Sequence, residues 1–303
     1  MVNSLAKSER GEVGFATFCS IPAVKQNIAN VVGEKDSAKF IASVVSAVQT
    51  NKQLAECTNS SIFSAALLGH ALQLSPSPQL GQFYMVPYNN RKTGVTEAVF
   101  QIGAKGYKQL AIRSGQYRKI VTSVVKKGEL KAFNPITEEY VFEPIMDIQL
   151  RESLPVIGYY ASFTLNNGFT KELYWSKEKM LIHADKYSAA FSLNGTTGKY
   201  AKVSYEQYEK GEYPEKDAWL YSSFWYKDFD GMAEKTMIRQ LISKWGIMSI
   251  DMQKAYESDM GVLSESGDVR YVDNQKDDPL EKALQEIDEN ANAEELIIES
   301  ASE

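Results

Sequence analysis

The sequence reads as a mixture of helices and strands compatible with an α+β fold, on three features. Apolar residues recur at helical spacing near both ends of residues 21–250, short runs of β-branched and aromatic residues fill the middle, and hairpin-type turns separate those runs. Residues 1–20, polar and Gly-rich, are expected to be a flexible segment. Helices are predicted over 24–32 and 38–48, the second with Phe40, Ile41, Val44, Val45 and Val48 in one stripe. A third spans about 60–74, with Asn59 or Ser60 as N-cap and Ser75-Pro76 as its end. QFYMVPY (82–88) and VTEAVFQI (95–102) read as strands joined by the turn NNRKTG. A helix from about Ala104 to Gly115 precedes strands at 118–125, 139–143, 156–165 and 169–175, the last two joined by an Asn167-Gly168 turn. Ser176 is placed to cap a helix reaching about Ala190, and residues 192–217 read as a long loop. Gly231–Trp245 is predicted helical, with Gly246 at its C′ position. From Asp251 to Asp278 a linker is expected, then a short acidic helix on Leu280, Leu284 and Ile287. The organisation expected is therefore a flexible 1–20, a core over 21–250 and an acidic tail over 251–303, with a chain ended near Ser249 still able to fold.

At 44% hydrophobic and 24% charged residues, the composition excludes collagen-like and wholly disordered classes. Two cysteines, Cys19 and Cys57, exclude a disulfide scaffold and fit a reducing compartment. No apolar run is long enough to span a bilayer and the first residues carry no apolar signal core, so a cytoplasmic, membrane-free protein is expected. The net charge of −6 hides a split: from Asp251 onward there are 16 acidic and 4 basic residues, against 23 acidic and 29 basic before it. Between Arg91 and Lys131 ten basic residues face only Glu97 and Glu129. A basic body of this kind fits a polyanion partner.

Most catalytic chemistry lacks its residues. His70 and His183 fall on separate predicted helices, and no CxxC or HExxH spacing exists for zinc. GTTGKY (195–200) departs from a P-loop, having two residues between its glycines and Tyr200 after the lysine, so ATP is not expected there. GAKG (103–106) matches the GxxG of KH domains only formally. No GxSxG or Cys/His pairing offers a nucleophile. Asp228 and Asp230 are two lone acids, better suited to capping a helix (Asp230 before Met232) than to a nuclease metal centre, which needs several converging carboxylates.

Two helices carry basic faces. In the first, Tyr107, Leu110 and Ala111 lie opposite Lys105, Lys108, Gln109 and Arg113. In the second, Met237, Ile238, Leu241, Ile242 and Trp245 lie opposite a row of Lys235, Arg239 and Ser243. Cations four apart on a helix stand about 6 Å apart along the axis, close to the phosphate spacing of an extended strand. With Arg91 and Lys92 at the hairpin turn, these faces point to a phosphate-binding groove, and Tyr84, Tyr88 and Tyr107 are placed to stack on bases.

Four segments carry a family resemblance: IPAVKQNIANVVG (21–33), KFIASVVSAVQTNKQLAECTNSSIFSAALLGHALQLSP (39–76), FYMVPYNNRKTGVTEAVFQIGAKGYKQLAIRSGQYRKI (83–120) and AWLYSSFWYKDFDGMAEKTMIRQLISKWGIMS (218–249). In this order they resemble the phage RecT family of single-strand DNA annealing proteins. The resemblance implies an α+β core of mixed helices and a small antiparallel sheet or hairpin, forming a basic DNA groove and distantly similar to the Rad52 annealing proteins. It implies annealing of complementary strands in recombination with no covalent catalytic centre, no ATP, and Mg²⁺ at most through the DNA. It also implies self-assembly into a ring or helical filament, a partner 5′–3′ exonuclease, a host single-strand-binding protein as a further partner, and residence in the bacterial cytoplasm. The family pattern falls on Gln101, Gly103, Lys105, Gly106, Tyr107, Arg113, Ser114, Gly115, Met232, Lys235, Thr236, Arg239 and Lys244. With the surrounding cations, the DNA-binding set expected is Arg91, Lys92, Gln101, Gly103, Lys105, Gly106, Tyr107, Lys108, Arg113, Arg118, Lys126, Lys127, Lys235, Arg239 and Lys244. The glycines are expected to allow close backbone approach, to DNA or to a neighbouring strand. Two rival readings differ in class: an oligomeric DNA-binding scaffold that does not anneal, and a nuclease built on Asp228 and Asp230.

Overall fold

The computed structural model describes residues 13–90, 94–134, 136–259, 261–263 and 269–271. Three helices, α1 (Phe15–Ser20), α2 (Pro22–Val32) and α3 (Glu34–Thr50), open the described chain, and α4 (Asn59–Ala71) follows a short 3-10 turn. Residues 15–20, expected to be flexible, are helical because Phe15 and Cys19 are buried in the core with Ile28 and Val44. The N-cap of α4 is Thr58, one residue before the expected cap; its hydroxyl accepts from the Ser61 amide.

Strands β1 (Phe83–Asn90) and β2 (Val95–Ile102) form the expected hairpin, in continuous antiparallel register from Phe83 opposite Ile102 to Asn90 opposite Val95. Their buried face, Phe83, Met85, Ala98, Phe100 and Ile102, packs on α4. Two short strands from beyond residue 250, β8 (Gly261–Leu263) and β9 (Val269–Tyr271), extend this sheet in the order β1-β2-β8-β9.

A second antiparallel sheet has the order β3-β6-β7, from β3 (Tyr117–Lys126), β6 (Val156–Leu165) and β7 (Thr170–Ser176). Between β3 and β6 lie the hairpin β4 (Leu130–Asn134) with β5 (Glu139–Phe142), and α6 (Ile148–Ser153). The sequence signalled β5 but not β4, whose residues are mostly exposed and lack an apolar alternation. Phe133 stacks on Tyr140 at 4.6 Å between ring centroids, and Phe142 meets Tyr160 at 5.0 Å, which seats the hairpin on β6.

Ser176 caps α7 (Lys177–Tyr187), as its position predicts. The expected loop 192–217 contains α8 (Tyr205–Glu209), and Tyr205, Tyr208, Tyr221 and Tyr226 gather into a ring cluster with Phe191. After α9 (Phe224–Lys227), the long α10 (Phe229–Trp245) begins two residues earlier than expected. Its N-cap is Asp228, accepting from Gly231 N at 3.1 Å, and not Asp230, whose carboxylate accepts from Tyr159 Oη at 2.6 Å. Met237, Ile238, Leu241 and Ile242 bury α10 between α5 (Ala104–Arg113) and the second sheet. Gly246 is extended, with φ −79°; a side chain there would run into Tyr117 Oη and the last turn of α10, so close packing requires the glycine.

The expected linker after Asp251 is corrected by α11 (Ile250–Ser258). Ser249 caps it, Met252 and Ala255 are buried, and it packs against α5 and β2. The predicted helix on Leu280, Leu284 and Ile287 lies outside the described residues.

Candidate nucleic-acid interface

The β2–α5 junction and the start of α10 enclose a cavity of about 200 Å³. Gln101, Gly103 and Lys105 line one side, Met232 and Lys235 the other, and Tyr84, Phe224 and Asp228 complete the wall. The rings of Tyr84 and Phe224 are 6.2 Å apart, with Phe224 half exposed at the rim. Burial, then the Asp228 carboxylate, raises the pKa of the Tyr84 phenol, so it stays a neutral hydrogen-bond donor. Five residues that sequence resemblance drew from segments over a hundred residues apart thus meet at one opening.

The two glycines serve the chain itself. Gly103 N donates to Gln82 O at 2.9 Å, and a Cβ on Gly103 or Gly106 would collide with the carbonyls of Gly81 and Gln82. Of the two roles expected for them, the geometry gives packing of β2 and α5 against the 81–82 backbone.

Several expected DNA contacts are instead committed to the fold. Tyr107 is buried and donates to Asp259 Oδ2 at 3.1 Å, which leaves no ring face for a base. Arg113 donates to the carbonyls of Leu72 and Gln73, satisfying the orphaned acceptors at the end of α4. Lys108 Nζ donates to Thr122 Oγ1 at 2.7 Å, and that hydroxyl donates to Glu234 Oε2 at 2.9 Å, tying α5, β3 and α10 together. Lys126 Nζ donates to Leu154 O at 2.9 Å.

The largest correction falls on α10. The sequence places Lys235 and Arg239 on a solvated face, opposite the apolar stripe. In the structure Asp259, 1% exposed, covers that face. Lys235 Nζ lies 3.5 Å from Asp259 Oδ1 and Arg239 Nε lies 3.5 Å from Asp259 Oδ2. Ile102 N also donates to Asp259 Oδ1, at 2.9 Å, and the Arg239 guanidinium stacks 4.4 Å from the Tyr256 ring centroid. Burial works to lower the Arg239 pKa, but the Tyr107 phenol oxygen and the Asp259 carboxylate beside it outweigh burial and the group is raised. Ser243, the third member of the row, donates to Gln240 O in its own helix.

Besides Arg113, the exposed members of the expected set are Lys105 at the cavity, Arg118 on β3, Lys127 past its end and Lys244 at the far end of α10, and Lys119, next to Arg118, is exposed with them. Arg91 and Lys92 lie outside the described residues. The two acids of the basic segment are already engaged. Glu97 accepts from Asn90 at 3.2 Å, and buried Glu129 pairs with Arg151 of α6 at 2.6 Å. Burial opposes it, but Arg151 and the Lys126 amide hold the Glu129 carboxyl below its ordinary pKa. The exposed cations of α5 and β3 thus keep their field for a ligand.

Phe224 and Asp259 escaped the sequence reading. Phe224 sits in an aromatic run with no period to single it out. Asp259 was submerged in the acidic total, although Met252 and Ala255 behind the Ser249 cap give an amphipathic helix signal that leads to it. Among the described residues no group of three or more His, Cys, Asp or Glu side chains is placed to hold a metal ion, and no helix is long and apolar enough to cross a membrane.

A family model described as RecT family matches residues 38–273. The protein YqaK of Bacillus subtilis strain 168 is 33% identical over 278 residues, covering 89% of this chain and 83% of that protein. Protein RecT of Escherichia coli K12 is 26% identical over 248 residues, covering 80% of this chain and 79% of its own length.

Proposed function

The chain belongs to the RecT family of recombination proteins, and on that premise we propose that it binds single-stranded DNA and anneals complementary strands without ATP or a resident metal. The observation that carries this reading is the convergence of Gln101, Lys105 and Met232 with the rings of Tyr84 and Phe224, together with the exposed cations Arg118 and Lys119 of β3. A strand laid over α5 and β3 meets cations for its phosphates and, at the cavity rim, a half-exposed ring for its bases.

The mechanism needs no covalent step. Two complementary strands repel through their phosphates. Cations on the protein screen that repulsion and hold one strand extended, so that a second can test its pairing. Each correct stacking step then contributes about 1.4 kcal/mol. Assembly into a ring or helical filament joins many weak per-subunit contacts on one strand. A basic groove in a core distantly like the Rad52 annealing proteins, a partner 5′–3′ exonuclease that exposes strands, a host single-strand-binding protein and a bacterial cytoplasmic setting all belong to this reading.

The test is a fluorescence annealing assay with complementary oligonucleotides, in EDTA and without ATP. Acceleration over the protein-free rate is expected. Binding without acceleration would identify a scaffold instead, and Mg²⁺-dependent cleavage would identify a nuclease.

A further inference from the structure

The far end of α10 carries a second group of cations, apart from the cavity. Lys179 and Lys186 on α7 and Lys244 on α10 are exposed, and among the described residues none of them is ion-paired with a carboxylate. Each stands over an aromatic ring instead: Lys179 Nζ is 4.5 Å from the Trp175 centroid, Lys186 Nζ 4.9 Å from Tyr187, and Lys244 Nζ 5.8 Å from Trp245. His183 sits in their midst, 5.2 Å from the Trp175 ring and 4.6 Å from Tyr187.

The surface is electrostatically unrelieved. Burial, then Arg239, Lys186, Lys179 and Lys244, pushes the His183 pKa down to about 4. Burial and then Lys244 also lower that of Lys179. Two acids of these elements are engaged elsewhere: Asp185 of α7 accepts from Leu193 N at 2.8 Å and Glu172 of β7 from Tyr160 Oη at 2.6 Å, while Glu178 of α7 is exposed and forms no ion pair with these lysines among the described residues. Like charges gathered without counter-charges gain most from a polyanion.

Position separates this surface from the first. Lys244 lies nine positions after Lys235, which puts them about 14 Å apart along α10 and about half a turn apart around it. Lys235 faces the cavity and Asp259; Lys244 faces the opposite flank, toward α7.

We propose that the α7–α10 surface is a second DNA site, which captures the incoming strand while the first strand lies across α5 and β3. Lys179, Lys186 and Lys244 take its phosphates, and Tyr187, 46% exposed, offers a ring to its bases. Capture raises the concentration of the second strand near the first, so the gain falls on the rate of encounter. The inference rests on the first-strand reading above.

The test uses the full chain with Lys179→Ala and Lys186→Ala combined, and Lys179→Arg with Lys186→Arg as the conservative pair. Protein loaded with one labelled oligonucleotide is offered a second, non-complementary labelled strand, and energy transfer between them reports co-occupancy. The alanine pair is expected to bind the first strand within about twofold of the parent and to lose second-strand capture by about tenfold or more, with a capture salt slope shallower by about 1.4. The arginine pair should restore capture. Unchanged capture in the alanine pair, or equal loss of first-strand binding, would overturn the second site. A parent that binds one strand but never two overturns it while leaving the first-strand reading standing; a parent that binds neither overturns both.

Discussion

Lys105, Arg118 and Lys119 stand exposed on α5 and β3, whereas Lys235 and Arg239, one turn apart on α10, are folded over Asp259. Both groups belong to the basic body of the chain, and Lys105 on α5, like Lys235 and Arg239 on α10, lies on a face turned away from its helix's apolar stripe. The difference lies in what another part of the chain does to each. On α5 and β3 the local acids are engaged elsewhere, Glu129 by Arg151 and Glu97 by Asn90, so the cations keep their field. On α10 a carboxylate arrives from 24 residues downstream of Lys235 and consumes it. A basic helical face therefore becomes a ligand surface only if the rest of the fold leaves it uncovered.

The largest effect expected from this comparison is on stability. Asp259→Ala removes the buried carboxylate that Lys235 and Arg239 share and strips the Ile102 amide and the Tyr107 hydroxyl of their acceptor, at a cost of about 3–5 kcal/mol. For a chain of this size that lowers the thermal midpoint by about 5–8 °C. A chain ended near Ser249 loses α11 as well as Asp259 and should fare worse, which reverses the expectation drawn from the acidic composition of the tail. Calorimetry of the two proteins checks this, and a parent-like midpoint for Asp259→Ala would break the distinction between the regions.

A smaller change sharpens the other side. Phe224→Ala removes a half-exposed ring from the cavity rim without opening the core. Lost stacking of about 1–3 kcal/mol per base should weaken single-strand binding by about fivefold or more while the melting curve stays put. Unchanged affinity, measured by fluorescence anisotropy, would remove the cavity from the path of the strand.

The architecture was legible where one face of an element decides its fate. The β1–β2 hairpin, α5, the capping of α7 by Ser176 and the apolar stripe of α10 all follow from period and turn chemistry. Those signals say which residues share a face but not what covers it. Hence Tyr107, Arg113, Lys235 and Arg239 read as ligand contacts, although each meets a partner far along the chain. The partner itself was hidden by averaging: 16 acids in the last 53 residues describe a solvated tail, and Asp259 is the one among the described residues that the core encloses. Gly103 and Gly106 signal a close approach in the sequence, but whether DNA or chain backbone fills that space depends on the distant carbonyls of Gly81 and Gln82, which the fold brings there.

The smallest effect expected is at Arg113, an arginine of the basic segment that the fold employs. Arg113→Ala should cost about 1 kcal/mol through the unsatisfied carbonyls at the end of α4 and leave DNA affinity within about twofold of the parent. A large loss of binding with no change in melting would move Arg113 to the ligand side of the comparison.

The central claim is that the exposed cations of α5 and β3 hold the phosphates of a single strand. The most direct measurement is the salt dependence of oligonucleotide binding by the parent and by a Lys105→Ala, Arg118→Ala, Lys119→Ala variant. With about 4 phosphates neutralised per subunit, the parent should show a log–log slope near −3, and the variant a slope shallower by about 2 at an unchanged melting temperature. A parental slope near zero, or a variant slope equal to the parent's, would contradict the account.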